Sequence, residues 1–113
     1  MAHAPENTLD AFRLAMRLGA TGLESDVWPT SDGVPVLSHQ GRVGPATLPS
    51  LEDLYRAVGT SCQVSLDVMD PAVTAQVVAV ANRHPGALGR LWLCHPDWET
   101  VASWRGLHPR IRL

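Results

Sequence analysis

The sequence predicts an α/β fold, a partial TIM-type (β/α) barrel incomplete at both ends. Three observations predict it. Beyond residue 60, strand-like and helix-like segments alternate, the pattern of βαβ units around a parallel sheet. Two separate strands, residues 22–28 and 63–68, each carry apolar residues on one face and a carboxylate near the end of the other. Side chains alternate along a strand, so Gly22, Glu24 and Asp26 share a face opposite Leu23, Ser25 and Val27. Likewise Ser65 and Asp67 oppose Val64, Leu66 and Val68. A barrel packs its outer face on helices and gathers polar interior positions at the strand C-termini, whereas an open sheet covers both faces and leaves such acids harder to place. A complete barrel needs about 250 residues. The chain has 113, so residues 1–113 are expected to form one domain that supplies roughly the first half.

The elements follow in order. Asn7 is a good helix N-cap, with Asp10 three positions on, and Leu9, Phe12, Ala15 and Met16, with Leu18 at the end, form an apolar stripe. Glu6 suits the first turn, where an acid favours the helix dipole, and Gly19 supplies the stop. The carboxylate strand comes next, then the turn Ser31-Asp32-Gly33 and a second apolar run from Val34 to His39. A hairpin pairing Thr30 with Val34 sets His39 opposite Ser25, beside both carboxylates; parallel neighbours would end Asp26 and His39 at the same rim. A loop, 40–49, leads to a helix capped by Ser50 and ended by Gly59, with Asp53 at its third position. After the strand 63–68, Asp70-Pro71 is an N-cap followed by proline at the first helical position, and the helix runs to about Arg83 with Val73, Val77 and Val80 on one face. Pro85-Gly86 break it. Leu91 to Cys94 is a short buried strand, Asp97 caps a helix over about 98–105, and Ile111 to Leu113 begins another strand. With a strand missing before it and one barely begun after it, the sheet is expected to show two open edges and to self-associate through them.

Composition narrows the function. The net charge is −2, and the nine basic residues are all arginine, which excludes an electrostatic nucleic-acid binder. No stretch approaches the roughly 20 apolar residues of a transmembrane segment. Residues 1–6 lack the features of a signal peptide, so cytoplasmic residence is expected. Cys62 and Cys94 read as buried free thiols. The four tryptophans, Trp28 excepted, read as core or helix-face packing, and Trp28 as a border of the substrate mouth. His3, His84 and His108 read as loop residues, and His95 as a rim residue with no assigned role. Glu24 and Asp26, close together and partly buried, repel each other and lose hydration, so either basic side chains or a cation must meet them.

Pro5-Glu6-Asn7-Thr8 with Ala11-Phe12, Gly19-Ala20, Leu23-Glu24-Ser25-Asp26-Val27, Thr30-Ser31-Asp32-Gly33-Val34-Pro35-Val36 and His39 resemble, in order and spacing, the glycerophosphodiester phosphodiesterase family. Pro49 to Leu54 is similar to the family's helix before the next barrel strand, and Val64 to Val68 with Asp70-Pro71 to its strand bearing a third acidic ligand. The resemblance implies a barrel of the phosphodiesterase kind and hydrolysis of a small-molecule glycerophosphodiester to an alcohol and glycerol 3-phosphate. It implies a divalent cation, Ca2+ or Mg2+, on Glu24, Asp26 and Asp67, and a catalytic role for His39 as the second of two histidines. Physical chemistry agrees, because hard cations take oxygen ligands and a histidine near neutrality passes protons.

The chain departs from that pattern in three places. No His-Arg-Gly precedes Pro5, Met69 stands where many members carry a phosphate-facing lysine, and Gln40 follows His39 in place of an acid. The departures imply impaired catalysis. The alternative readings are a noncatalytic half-barrel that binds a cation or phosphate, and a metal-free interaction module in which Glu24 and Asp26 pair with Arg42 or Arg56.

Overall fold

The computed structural model describes residues 9–38 and 48–113. Helix α1 (Leu9–Arg17) leads into strand β1 (Gly22–Pro29), which turns back as β2 (Pro35–Leu37). Helix α2 (Leu51–Val58) precedes β3 (Gln63–Val68), α3 (Thr74–Asn82) joins β3 to β4 (Leu91–Cys94), and α4 (Trp98–Ser103) follows. The strand order is β2-β1-β3-β4, antiparallel between β2 and β1 and parallel elsewhere.

Local chemistry sets these boundaries. Helix α1 closes in a Schellman motif: the Gly19 N–H donates to the Met16 carbonyl and the Ala20 N–H to the Ala15 carbonyl, with Gly19 at φ 91°. The Asn7 cap and Glu6 lie outside the described residues. Phe12 is buried and Ala15 and Met16 pack on the core, but Leu18 points into solvent. Ser50 and Asp53 form the full capping box of α2. Asp70 accepts from the Ala72 N–H, yet its first turn, Pro71–Val73, is a 3-10 turn, and the α-helix proper starts at Thr74. The expected helix therefore begins three residues late, because an extended Asp70 and the proline favour a tight opening turn.

The hairpin takes the predicted register. Val27 pairs with Leu37 and Trp28 with Val36, and the Thr30 N–H donates to the Val34 carbonyl at 2.9 Å. Thr30 Oγ1 accepts from the N–H groups of Asp32 and Val34, and Gly33 adopts φ 81°. The sheet edges differ from expectation. Beyond β2, the Leu37 N–H donates to the Pro49 carbonyl and Val36 bridges Ser50, so that edge is covered. Beyond β4, Arg112 bridges Trp92 in parallel, accepting from the Leu93 N–H and donating to the Leu91 carbonyl. The strand expected at 111–113 has begun there, and the expectation of two bare edges is corrected by this pairing.

One face of the sheet is covered by helices. Leu23, Val27, Val64, Leu66, Val68, Leu91 and Leu93 bury themselves there with Val73, Val77, Val80 and Ala81 of the third helical segment and Leu51, Leu54 and Tyr55 of α2. A charged cluster ties α2 to the end of α3. Glu52 lies 3.2 Å from Arg56, 3.1 Å from Arg83 and 2.7 Å from His84, whose ring sits 5.1 Å from that of Tyr55. Burial alone would raise the Glu52 carboxyl, but hydrogen bonds from Arg83 and His84 and the charges of His84 and Arg56 outweigh it and hold the group below the ordinary glutamate value. His84 does lie in the loop past α3, and there it tethers α2 through Glu52. Burial, reinforced by the Cys62 charge, pushes the Tyr55 hydroxyl well up, and it has no hydrogen-bond partner among the described residues.

Candidate functional site

The face of the sheet away from the helices carries the polar residues, and its registers stack them in tiers. Glu24 pairs with Ser65, Ser65 with Trp92, and Trp92 with Arg112, so these four share one tier. Two residues further toward the strand C-termini, Asp26 pairs with Asp67 and Asp67 with Cys94, and the Ser38 N–H donates to the Asp26 carbonyl at 3.1 Å. That tier reads Ser38, Asp26, Asp67, Cys94. The next follows from the Met69 N–H donating to the Val27 carbonyl at 3.1 Å, which carries the ladder one step on and sets Met69 beside Trp28. Trp28 pairs with Val36, so the last tier is Val36, Trp28, Met69.

The site residues read from the sequence fall as follows. Asp26 and Asp67 stand on the same tier of adjacent parallel strands, at the end where an α/β sheet places its chemistry. Glu24 stands on the same face one tier below. His39 lies outside the described residues. Asp26 is half-buried, but Glu24 and Asp67 are exposed, which corrects the expectation of a partly buried pair: this face is open at Glu24 and Asp67, while Val36 and Ser38 at its β2 end are buried. Arg56 does not reach Glu24 or Asp26, because Glu52 holds it, and Arg42 lies outside the described residues. Among the described residues no three His, Cys, Asp or Glu side chains are gathered closely enough to hold a metal ion. The donor set nevertheless fits a hard cation: three carboxylates on one face, two of them in register, with the longer Glu24 side chain a tier below.

Other residues were misplaced by sequence reasoning. Trp92, read as packing, is 38% exposed on the open face, its Nε1–H donating to Gln63 Oε1 at 2.8 Å and the Arg112 guanidinium stacked 5.4 Å from its ring. A cleft of about 300 Å³ opens beside it between Glu24, Gln63 and Ser65. Cys94 shares the carboxylate tier, half-buried, with its Sγ 3.7 Å from Ser65 Oγ; strict alternation along Leu91–Cys94 was the signal for it. His95 turns away, its Nδ1 accepting from the Asp97 N–H and its ring edge-on to buried Trp104. Trp28 stands in the upper tier itself, with its Nε1–H donating to the Ser38 carbonyl at 3.1 Å.

Comparison with known proteins decides the family. The profile of the Glycerophosphoryl diester phosphodiesterase family matches residues 1–84. The chain belongs to that family. Among its relatives, glycerophosphodiester phosphodiesterase 1 of Rattus norvegicus is 59% identical over 44 residues, which cover 39% of this chain and 13% of the relative. The glycerophosphodiester phosphodiesterase of Caldanaerobacter subterraneus is 49% identical over 45 residues, covering 40% of this chain and 18% of the relative. Among solved structures, the Thermotoga maritima glycerophosphodiester phosphodiesterase superposes with a TM-score of 0.77 at 19% identity, over 91% of this chain and 54% of that one. An Oleispira antarctica phosphodiesterase, solved with the product sn-glycerol-3-phosphate, superposes with a TM-score of 0.79 at 23% identity, over 96% of this chain and 59% of that one. The family chain described here thus spans little more than half the length of these structures, and its fold is a partial TIM-type barrel. Among the described residues no helix is long and apolar enough to cross a membrane.

Proposed function

We propose that this chain is part of a cytoplasmic, metal-dependent phosphodiester hydrolase that cleaves glycerophosphodiesters to an alcohol and glycerol 3-phosphate. The observation that carries the reading is the in-register pair Asp26 and Asp67 at the C-terminal ends of two parallel strands, with Glu24 on the same face. These carboxylates would hold Ca2+ or Mg2+, which when bound orients the diester and polarises a phosphoryl oxygen. His39 would pass a proton to the departing alkoxide. Trp28, fixed through Ser38, would wall the mouth above them.

Met69 favours a second reading beside the first. It stands exposed two residues past Asp67, where the resemblance places a lysine, so a developing phosphoryl charge finds no cation there. The chain would then bind a cation or phosphate with little or no turnover. Calorimetric titration with Ca2+ and Mg2+, of this chain and of Asp26→Asn, tests both readings. Binding that weakens in the variant supports the site, and release of glycerol 3-phosphate from glycerophosphocholine separates enzyme from binder. A folded chain that binds neither cation refutes the metal-dependent enzyme, and one that also fails to bind inorganic phosphate refutes the second reading as well.

A further inference from the structure

The candidate site stands on two supports that no strand pairing joins directly. Asp67 is on β3, whereas Ser38, with His39 next in the chain, follows β2, and β1 lies between the two strands. β1 and β3 share six consecutive register pairs, from Gly22 with Gln63 to Val27 with Val68. β2 is held to β1 by three, and one of these, Pro29 with Pro35, has no N–H to exchange. The other edge of β2 leans on the residues that open α2. The Leu37 N–H donates to the Pro49 carbonyl at 2.9 Å, and Val36 bridges Ser50. Ser50 is locked to α2 by its capping box with Asp53, so β2 moves with that helix.

The seat of α2 is therefore the seat of β2. Leu51, Leu54 and Tyr55 bury one face of α2 in the core, but apolar contact is non-directional and tolerates a small slide or roll. Glu52 supplies the direction. Its Oε1 accepts from Arg83 Nη2 at 3.1 Å, and its Oε2 lies 2.7 Å from His84 Nε2. Such charge-assisted contacts carry geometric specificity as well as energy. Arg83 and His84 end the helical segment that follows β3, so Glu52 ties the helix behind β2 to the helix behind β3. Glu52 and His84 are only 22% and 19% exposed, which limits screening by solvent. Arg56 also donates to Oε2, but from within α2, and it joins no second element.

We infer that Glu52, gripped by Arg83 and His84, is a positioning residue: through α2 it sets where the β2 arm, Ser38 and the His39 that follows it, stands against the Asp26–Asp67 tier. The catalytic side of this inference rests on the proposed function; the placement of β2 does not.

Two measurements on the full chain test it. Amide hydrogen exchange, read residue by residue, compares the Leu37 and Ser38 amides of the β2 arm with those of Gln63 and Met69 on the β1–β3 side. In Glu52→Ala and in His84→Ala, exchange at Leu37 and Ser38 is expected to quicken about tenfold more than at Gln63 and Met69. Arg56→Ala, which removes a contact internal to α2, is expected to leave all four unchanged. Arg83→Ala, at a side chain 62% exposed, keeps the comparison available where a buried-partner variant does not fold. An equal rise at all four amides means that Glu52 supports only the fold as a whole, and it overturns the inference, as does no rise. The second measurement is turnover of glycerophosphocholine with Ca2+. Glu52→Ala is expected to lower kcat about tenfold while KM and the calorimetric Ca2+ affinity stay within about twofold, because the carboxylates sit on β1 and β3. An unchanged kcat, or a kcat that falls in step with Ca2+ affinity, overturns the catalytic side. A native chain that does not hydrolyse glycerophosphocholine refutes the hydrolase reading instead, and the exchange comparison then decides the placement alone.

Discussion

Replacing Asp67 by asparagine is expected to change stability and cation binding in opposite directions. Asp26 and Asp67 are register partners on parallel strands. Adjacent strands lie about 4.8 Å apart, so the two side chains leave the sheet about 5 Å from each other. At an effective dielectric of about 60, suited to a half-open face, their repulsion is about 1 kcal/mol. Asparagine keeps the shape and removes the charge, so in EDTA the variant is expected to be more stable by about 1 kcal/mol. For a domain of this size that raises Tm by about 4 °C. The gain shrinks in about 1 M salt, where the screening length falls to about 3 Å. With Ca2+ or Mg2+ present the order reverses, because the native chain gains cation-linked stability that the variant has lost. Thermal unfolding followed by circular dichroism, in EDTA and across a cation series, reads both effects. A variant destabilised in EDTA, or one stabilised by cation as strongly as the native chain, refutes the reasoning.

Other expectations follow from the same geometry. The Glu52 carboxyl is held low, so its contribution to stability is present above the ordinary glutamate value of about 4.5 and is lost as pH falls through the lower folded value. Urea midpoints measured from pH 6 to pH 3 should fall less steeply for Glu52→Gln than for the native chain, and parallel curves would remove Glu52 from that role. Ser50→Ala removes the side-chain acceptor of the Asp53 N–H and is expected to cost about 1 kcal/mol, read as a lower urea midpoint at unchanged slope. Burial pushes the Cys62 thiol up and encloses it, whereas Cys94 is half-buried on the open face. Ellman's reagent at neutral pH should therefore label one thiol quickly and the second only on unfolding, and a Cys94→Ser chain that still labels quickly contradicts the assignment.

The sequence made legible what is local. Alternation placed Glu24, Asp26 and Asp67 on one face, the Ser31-Asp32-Gly33 turn set the hairpin register, and Ser50 and Asp70 marked where helical turns begin. What it left open depends on contacts between distant residues. That Asp26 and Asp67 share a tier depends on the register between strands about 40 residues apart, which no periodicity encodes. Glu52 and His84 are 32 residues apart, and a lone histidine beyond a helix gives no sign of a carboxylate across the groove. The cover over β2 comes from Pro49 and Ser50, whose sequence reads as a helix cap. Trp92 misled because large aromatics are usually covered, and strand parity turned it outward instead.

The Thr30–Val34 turn holds no chemical group of the site, yet it sets the phase of everything after it. Because β2 runs antiparallel to β1, Val36 and Ser38 face the carboxylates only while Thr30 and Val34 stay partners. A single residue inserted within β2, rather than in the loop 31–33, has two outlets. Slippage by one sends Val36 and Ser38 to the helix-covered side and brings Leu37 to the open one, and a bulge kinks β2 to avoid that exchange. Two inserted residues lengthen the turn and disturb neither face. Length variation confined to the loop 31–33 therefore leaves that phase intact, whereas an odd change within β2 inverts it.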